Sequence, residues 1–66
     1  MVKEMIYVVR FIRKDGKPDE NYYYQSLKDA EYHFHLFNDD NSGLYRTILL
    51  LEWDGNAIVP KETIEY

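Results

Sequence analysis

The sequence predicts one small α+β domain in which a four-stranded antiparallel sheet, ordered 2-1-3-4, carries a single helix on one face. Two segments rich in β-branched, leucine and aromatic residues, Met5–Arg13 and Tyr45–Trp53, are typical of strands. An Asp-Gly pair follows each of them closely and favours a hairpin with a returning strand. Between the hairpins lies a segment with the apolar periodicity of a helix. The element order is therefore β-β-α-β-β, and 66 residues are expected to form one domain, 1–66.

The first hairpin is predicted to consist of a central strand, a turn and a second strand whose start is delayed by a proline. Both faces of Met5–Arg13 are largely apolar, which indicates a position inside the sheet. A turn is predicted at Lys14–Lys17, and Pro18 removes a backbone donor just after it. The returning strand is therefore expected at Asn21–Gln25. A right-handed crossover through the helix would then place the first strand between the second and the third.

The helix is predicted to begin after Ser26 and to end near Asn38, where turn-forming residues follow. The Ser26 hydroxyl is expected to cap the first turn, with Asp29 completing a capping box. Tyr32 and Leu36 lie one turn apart on a separate stripe, away from the main apolar face. The spacing predicts that this main face consists of Leu27, Ala30, Phe34 and Phe37, with His33 at its edge.

The second hairpin contains the strongest strand signal, Tyr45–Trp53. Its unbroken apolar run at residues 48–51 indicates burial on both faces or pairing with another chain. A two-residue Asp-Gly turn would place Leu51 opposite Ile58 and return as a short strand at 57–59. Pro60 predicts a sheet edge or a bulge, and the alternation at 62–66 fits a continuation of the edge strand.

Composition excludes several classes of function. The chain has no cysteine, which rules out disulfides, thiolate zinc sites and cysteine nucleophiles. Its formal net charge of −4 disfavours general binding to nucleic acid. The apolar run at 1–14 is interrupted by Arg10 and Arg13 and is too short to span a membrane. A cytoplasmic location is the default expectation, and the compact acidic chain would suit a small bacterial or phage accessory protein.

The sequence contains no catalytic constellation, so an enzyme, a cofactor and a metal site are not expected. His33 and His35 would point about 200° apart on a helix and could not share an ion. The acidic turn at 39–41 lacks the ligand spacing of a calcium loop. Ser26 has the context of a helix cap, and no phosphate loop or nucleophile elbow is present.

A surplus of aromatic and leucine residues points to protein interaction, because one helix cannot cover them all. The working hypothesis is a non-enzymatic interaction module, a homodimer or a binder of another protein. It would use the uncovered sheet face or an edge strand. The candidate interface residues are Tyr22, Tyr23, Tyr24, Tyr32, Leu36, Tyr45 and Trp53. In any extended strand at least one of the three consecutive tyrosines must point away from the other two.

Two alternatives involve nucleic acid. Basic residues around the first hairpin, beside the neighbouring tyrosines, could hold and stack a single strand. These residues are Arg10, Arg13, Lys14 and Lys17. Asp15, Asp19 and Glu20 dilute this basic charge, which favours a solvated hairpin instead. The other alternative is an acidic regulator that mimics nucleic acid and blocks a nucleic-acid-binding protein.

Overall fold

The computed structural model describes residues 5–66 and confirms the predicted fold. The elements are β1 (Ile6–Arg13), β2 (Glu20–Tyr24), α1 (Leu27–His35), β3 (Tyr45–Trp53) and β4 (Ile58–Glu65). All neighbouring strands are antiparallel, and the sheet order is β2-β1-β3-β4. Helix α1 packs on β1, β2 and β3. The two strands that are apolar on both faces therefore occupy the centre of the sheet, as their composition predicts.

The core lies between α1 and one face of the sheet. Val9 pairs with Leu50 across β1 and β3, and Phe11 pairs with Ile48, so that all four side chains point towards the helix. Ala30 and Phe34 of α1 complete this buried cluster. Partly buried side chains surround it, and among them Leu27 and Phe37 confirm the predicted apolar face of the helix. The adjacent residues on each strand point to the opposite side of the sheet.

The predicted start of the helix after Ser26 is confirmed, but the helix ends earlier than predicted and the Ser26 hydroxyl cap is absent. Helix α1 ends at His35, and the chain continues through tighter turns in which the Asn38 amide donates to the His35 carbonyl. Ser26 is the N-cap residue, and its carbonyl accepts the Ala30 amide at 3.1 Å. Its hydroxyl, however, makes no capping bond. Ser26 is exposed, so water can satisfy the first amides of the helix without it.

The first hairpin begins its return one residue earlier than predicted. Pairing starts with Phe11 opposite Glu20, and the connection spans residues 14–19. Arg13 stabilises this connection through two ion pairs, because its guanidinium lies 2.8 Å from the Asp15 carboxylate and 3.2 Å from the Glu20 carboxylate. Gly16 adopts a positive φ of 80°, a conformation that glycine adopts without steric cost. Glu20 joins β2 since this ion pair holds it beside β1.

The predicted two-residue turn of the second hairpin is wrong. Trp53 pairs with Ile58 and Leu51 pairs with Pro60, so the register is displaced by two residues and four residues form the loop. The Asp54 carboxylate accepts the Asn56 and Ala57 amides at 2.9 and 3.0 Å. This side-chain cap stabilises the longer loop. Because the displacement before the bulge is two residues, Ile58 and Val59 keep their predicted faces.

The two edges of the sheet differ. The pairing of β3 with β4 shifts between Leu50 and Leu51, which places a bulge beside Pro60 as predicted. Edge strand β4 also carries Lys61, which forms an ion pair with Glu52 at 3.2 Å. Edge strand β2 contains no proline and pairs with β1 without a bulge, but it is only five residues long. Charges, proline and bulges are features that discourage pairing at an edge, and they concentrate on β4.

Candidate protein-interaction face

The sheet surface that points away from α1 is the candidate functional site, and we call it the open face. Alternation along the strands defines it, because residues adjacent to the core positions must point the other way. Val8 and Leu51, for example, pair with each other and lie outside the core cluster formed with the helix. No helix among residues 5–66 lies on this side of the sheet, since α1 is on the other.

One half of the open face is apolar. It lies near the β3–β4 hairpin and consists of Ile6, Val8, Tyr23, Leu51, Trp53, Ile58 and Pro60. Tyr23, Ile58 and Trp53 are 68%, 53% and 41% exposed, respectively. Val8 and Leu51 are only 4% exposed and form the floor between them. Exposed aromatic and aliphatic side chains around a buried apolar centre resemble the anatomy of a protein interface.

The other half of the open face mixes apolar and polar side chains. It consists of Arg10, Ile12, Asn21, Thr47, Leu49, Thr63 and Glu65. The Arg10 guanidinium donates from Nε to the Asn21 side-chain oxygen at 2.8 Å, which holds it towards β2. Among the residues that strand pairing assigns to this face, Arg10 and Glu65 are the charged ones, and Arg46 lies at a bulge where it has no paired residue. Together the paired residues of the face are therefore formally neutral, whereas the whole chain carries −4.

Of the seven predicted interface residues, the open face contains Tyr23 and Trp53 alone. Three others lie on the helix side, where the Tyr22 and Tyr45 rings pack 5.5 and 5.0 Å from the Phe11 ring. The third of them, Tyr24, contacts the helix through its hydroxyl, as described below.

The remaining two predicted residues, Tyr32 and Leu36, lie on the outer surface of the helix, 71% and 61% exposed. They are separated from the open face by the whole sheet. Sequence reasoning did not single out Ile6, Val8 or Ile58, although their positions alternate with the core residues of the same strands. That alternation was the signal available for finding them.

The structure does not gather the basic residues of the first hairpin into one patch. Arg10 lies on the open face, while Arg13 is bound to Asp15 and Glu20. The hydrogen bonds from Arg13 lower the pKa of Asp15 to about 2, and the Asp15 carboxylate in turn raises the pKa of Arg13. Lys14 and Lys17 are exposed in the loop. Nearby carboxylates thus neutralise part of the positive charge that a nucleic acid would need.

The two histidines have separate environments. The Nδ1 atom of His33 lies 2.7 Å from the Tyr24 hydroxyl, and its ring packs against those of Phe11, Tyr22 and Phe37. Burial lowers the pKa of His33. His35 instead faces β4, with its Nε2 atom 3.4 Å from the Glu62 carboxylate. Within the described range 5–66, no three histidine or acidic side chains cluster as a metal site would require.

The partly buried position of His33 predicts a pH-dependent loss of stability. A lowered folded-state pKa means that the unfolded chain takes up the proton first, so stability is full above about pH 6.5 and falls as the pH drops below it. We expect the change in free energy of unfolding between pH 7 and pH 5 to be smaller in His33→Gln than in the wild type. Urea unfolding at both pH values measures this. If His35→Gln reduces the change and His33→Gln does not, the assignment to His33 is wrong.

Neither helix length nor hydropathy within residues 5–66 would allow a membrane crossing. Comparisons of the chain with protein-family models, with curated proteins and with solved structures found no match. Function is therefore inferred from the open face itself.

Proposed function

We propose that this protein is a non-enzymatic interaction module that forms a homodimer by packing the open faces of two copies together. The observation that carries the proposal is the exposure of Tyr23, Trp53 and Ile58 on one side of the sheet. No helix in the described part of the chain lies over them. Two antiparallel sheets commonly pack face to face at about 10 Å and bury such side chains between them.

The area of the open face is large enough for a dimer. Four strands spaced about 4.8 Å apart, five to nine residues long at roughly 3.3 Å per residue, present a surface on the order of 500 Å². Two such faces would bury on the order of 1,000 Å², which is the lower bound of a specific interface. The smaller apolar stripe at Tyr32 and Leu36 offers only two neighbouring side chains.

Charge also favours a second copy as the partner. Two chains of net charge −4 repel each other wherever their acidic surfaces meet. Among the residues that strand pairing assigns to the open face, the positive charge of Arg10 is matched by the negative charge of Glu65. This is a surface on which two acidic copies can meet without opposing a net charge.

The size of the core supports the same proposal. Eight hydrophobic residues are buried among residues 5–66, and the chain has no cysteine for disulfides. Domains of this length commonly gain stability by self-association. Pairing at an edge strand is less favoured than packing of the open faces, because Pro60 and its bulge interrupt β4 and because β2 is short.

The test is sedimentation equilibrium of the full chain at micromolar concentration. We expect a dimer for the wild type and a folded monomer for the double variant Tyr23→Lys/Ile58→Lys, because lysines on the open face would be desolvated by packing. Lysine reduces the net negative charge, so added repulsion between whole molecules cannot explain dissociation. The matched control is Tyr32→Lys/Leu36→Lys on the outer surface of the helix, which should remain dimeric.

Two results would contradict the proposal. A wild type that stays monomeric throughout the concentration series removes it. So does dissociation by the helix control together with a dimer that survives Tyr23→Lys/Ile58→Lys. In a separate titration at low salt, we expect no binding of mixed-sequence single-stranded oligonucleotides. Salt-sensitive binding that Arg10→Glu abolishes would instead support the nucleic-acid alternative.

A further inference from the structure

The two charged residues of the open face differ from most of the other charged side chains near the sheet. Arg13, Lys61 and His35 each lie within 4 Å of a carboxylate. Within residues 5–66, neither Arg10 nor Glu65 has an ionic partner. Arg10 is half-buried in the centre of the face, and Glu65 is exposed near the end of β4.

The protomer does not bring these two side chains together. Strand β3 separates β1 from β4, so Arg10 and Glu65 are two strand spacings apart, about 10 Å across the sheet. The bond from Arg10 Nε to Asn21 also draws the guanidinium towards β2, which is the direction opposite to β4. Its two terminal nitrogens have no hydrogen-bond partner within the described residues.

We propose that Arg10 of one copy binds Glu65 of the second copy in the face-to-face dimer, and that the reciprocal contact forms as well. This inference rests on the proposed function. A two-fold axis parallel to the strands and centred on β3 would place β1 of one sheet over β4 of the other. Since Leu49 pairs with both Arg10 and Thr63, Arg10 would then lie over Thr63 of the second copy. Glu65 is two residues, about 7 Å, further along that strand, a distance that the two long side chains can span, and the same contact would occur twice.

The pair would determine the register of the dimer more than its strength. A guanidinium at the centre of an apolar face loses solvation when that face is covered, so its free nitrogens need an acceptor. The carboxylate of Glu65 is the only ionised acceptor on the described open face. Sheets displaced sideways by one strand would separate the two charges, which disfavours those arrangements.

Mixing two charge-reversed variants tests the proposal. Arg10→Glu alone would oppose two carboxylates at each contact, and Glu65→Arg alone would oppose two guanidinium groups. Each variant is expected to dimerise about tenfold or more weakly than the wild type. An equimolar mixture should form heterodimers with wild-type-like affinity, since both contacts then join opposite charges. Sedimentation equilibrium with one variant fluorescently labelled measures this directly.

The net charges of the two variants are −6 and −2, because each substitution changes the charge of −4 by two units. Both are negative, so overall attraction cannot produce the heterodimer. The matched control is Glu62→Arg, which makes the same change on β4 but on the helix side. In its mixture with Arg10→Glu only one of the two contacts joins opposite charges, so this heterodimer should be weaker than the one formed with Glu65→Arg.

The experiments distinguish failure of the ion pair from failure of the dimer. If the wild type dimerises and Tyr23→Lys/Ile58→Lys dissociates it, but the mixture of Arg10→Glu with Glu65→Arg stays monomeric, the ion pair is wrong while the dimer stands. Equal heterodimer affinities with Glu62→Arg and with Glu65→Arg would also overturn the pair. A monomeric wild type removes both the dimer and the pair. Circular dichroism of each variant confirms that it is folded.

Discussion

Replacing Leu50 with glutamate is expected to abolish folding. Leu50 is fully buried between the sheet and α1, and no basic side chain belongs to the core cluster around it. An unpaired carboxylate there would cost on the order of 5 kcal/mol, which is comparable to the whole stability of a small domain. Circular dichroism should show an unfolded chain at 25 °C.

The adjacent residue provides the matched control. Leu49 lies on the open face, opposite Arg10 in the pairing of β1 with β3. Glutamate at that position can reach solvent and the neighbouring guanidinium, so Leu49→Glu is expected to fold. It should also weaken the proposed dimer, because the open face would gain a negative charge. A folded Leu50→Glu together with an unfolded Leu49→Glu would contradict the assignment of the two faces.

The second large effect is expected at Phe11. Its ring is 1% exposed and contacts four others, those of Tyr22, His33, Phe37 and Tyr45, with centroids 4.9 to 5.5 Å away. Phe11→Ala would remove these contacts and leave a cavity, at a cost of about 3–5 kcal/mol. In a domain of this size that loss is expected to unfold most of the population at 25 °C.

Urea unfolding with Tyr32→Ala as the control measures this effect. Tyr32 is also an aromatic residue, but its side chain is on the solvent side of the helix, so its removal should change the free energy of unfolding by about 0.5 kcal/mol or less. Equal losses of stability in the two variants would show that Phe11 is not the centre of the aromatic packing.

Periodicity and turn chemistry predict most of this fold. The strand order follows from the apolar composition of β1 and β3 and from the handedness of the crossover. The register of the second hairpin could not be predicted in the same way, because Asp54 accepts two loop amides and enlarges the turn. The Asp-Gly pair is compatible with both turns. Only the cross-strand packing of Trp53 on Ile58 distinguishes them.

The candidate site was harder to predict than the fold. Alternation requires one of the three consecutive tyrosines to differ from its neighbours, but it does not say which face the helix covers. The pairing of Val9 with Tyr22 and of Val8 with Tyr23 decides this, since Val9 belongs to the core under α1. Two of the three tyrosines thereby become part of the helix side. Only the register between strands distant in sequence determines which face each tyrosine occupies.

The difference between edge strands β2 and β4 limits how many single protomers can join by strand addition. A fibre that lengthens by strand addition needs two edge strands on every subunit that can pair, one with the previous molecule and one with the next. Pro60 and the neighbouring bulge discourage β4 from pairing with a strand of another molecule. Between single protomers, addition through β2 alone would therefore stop after one pair of molecules.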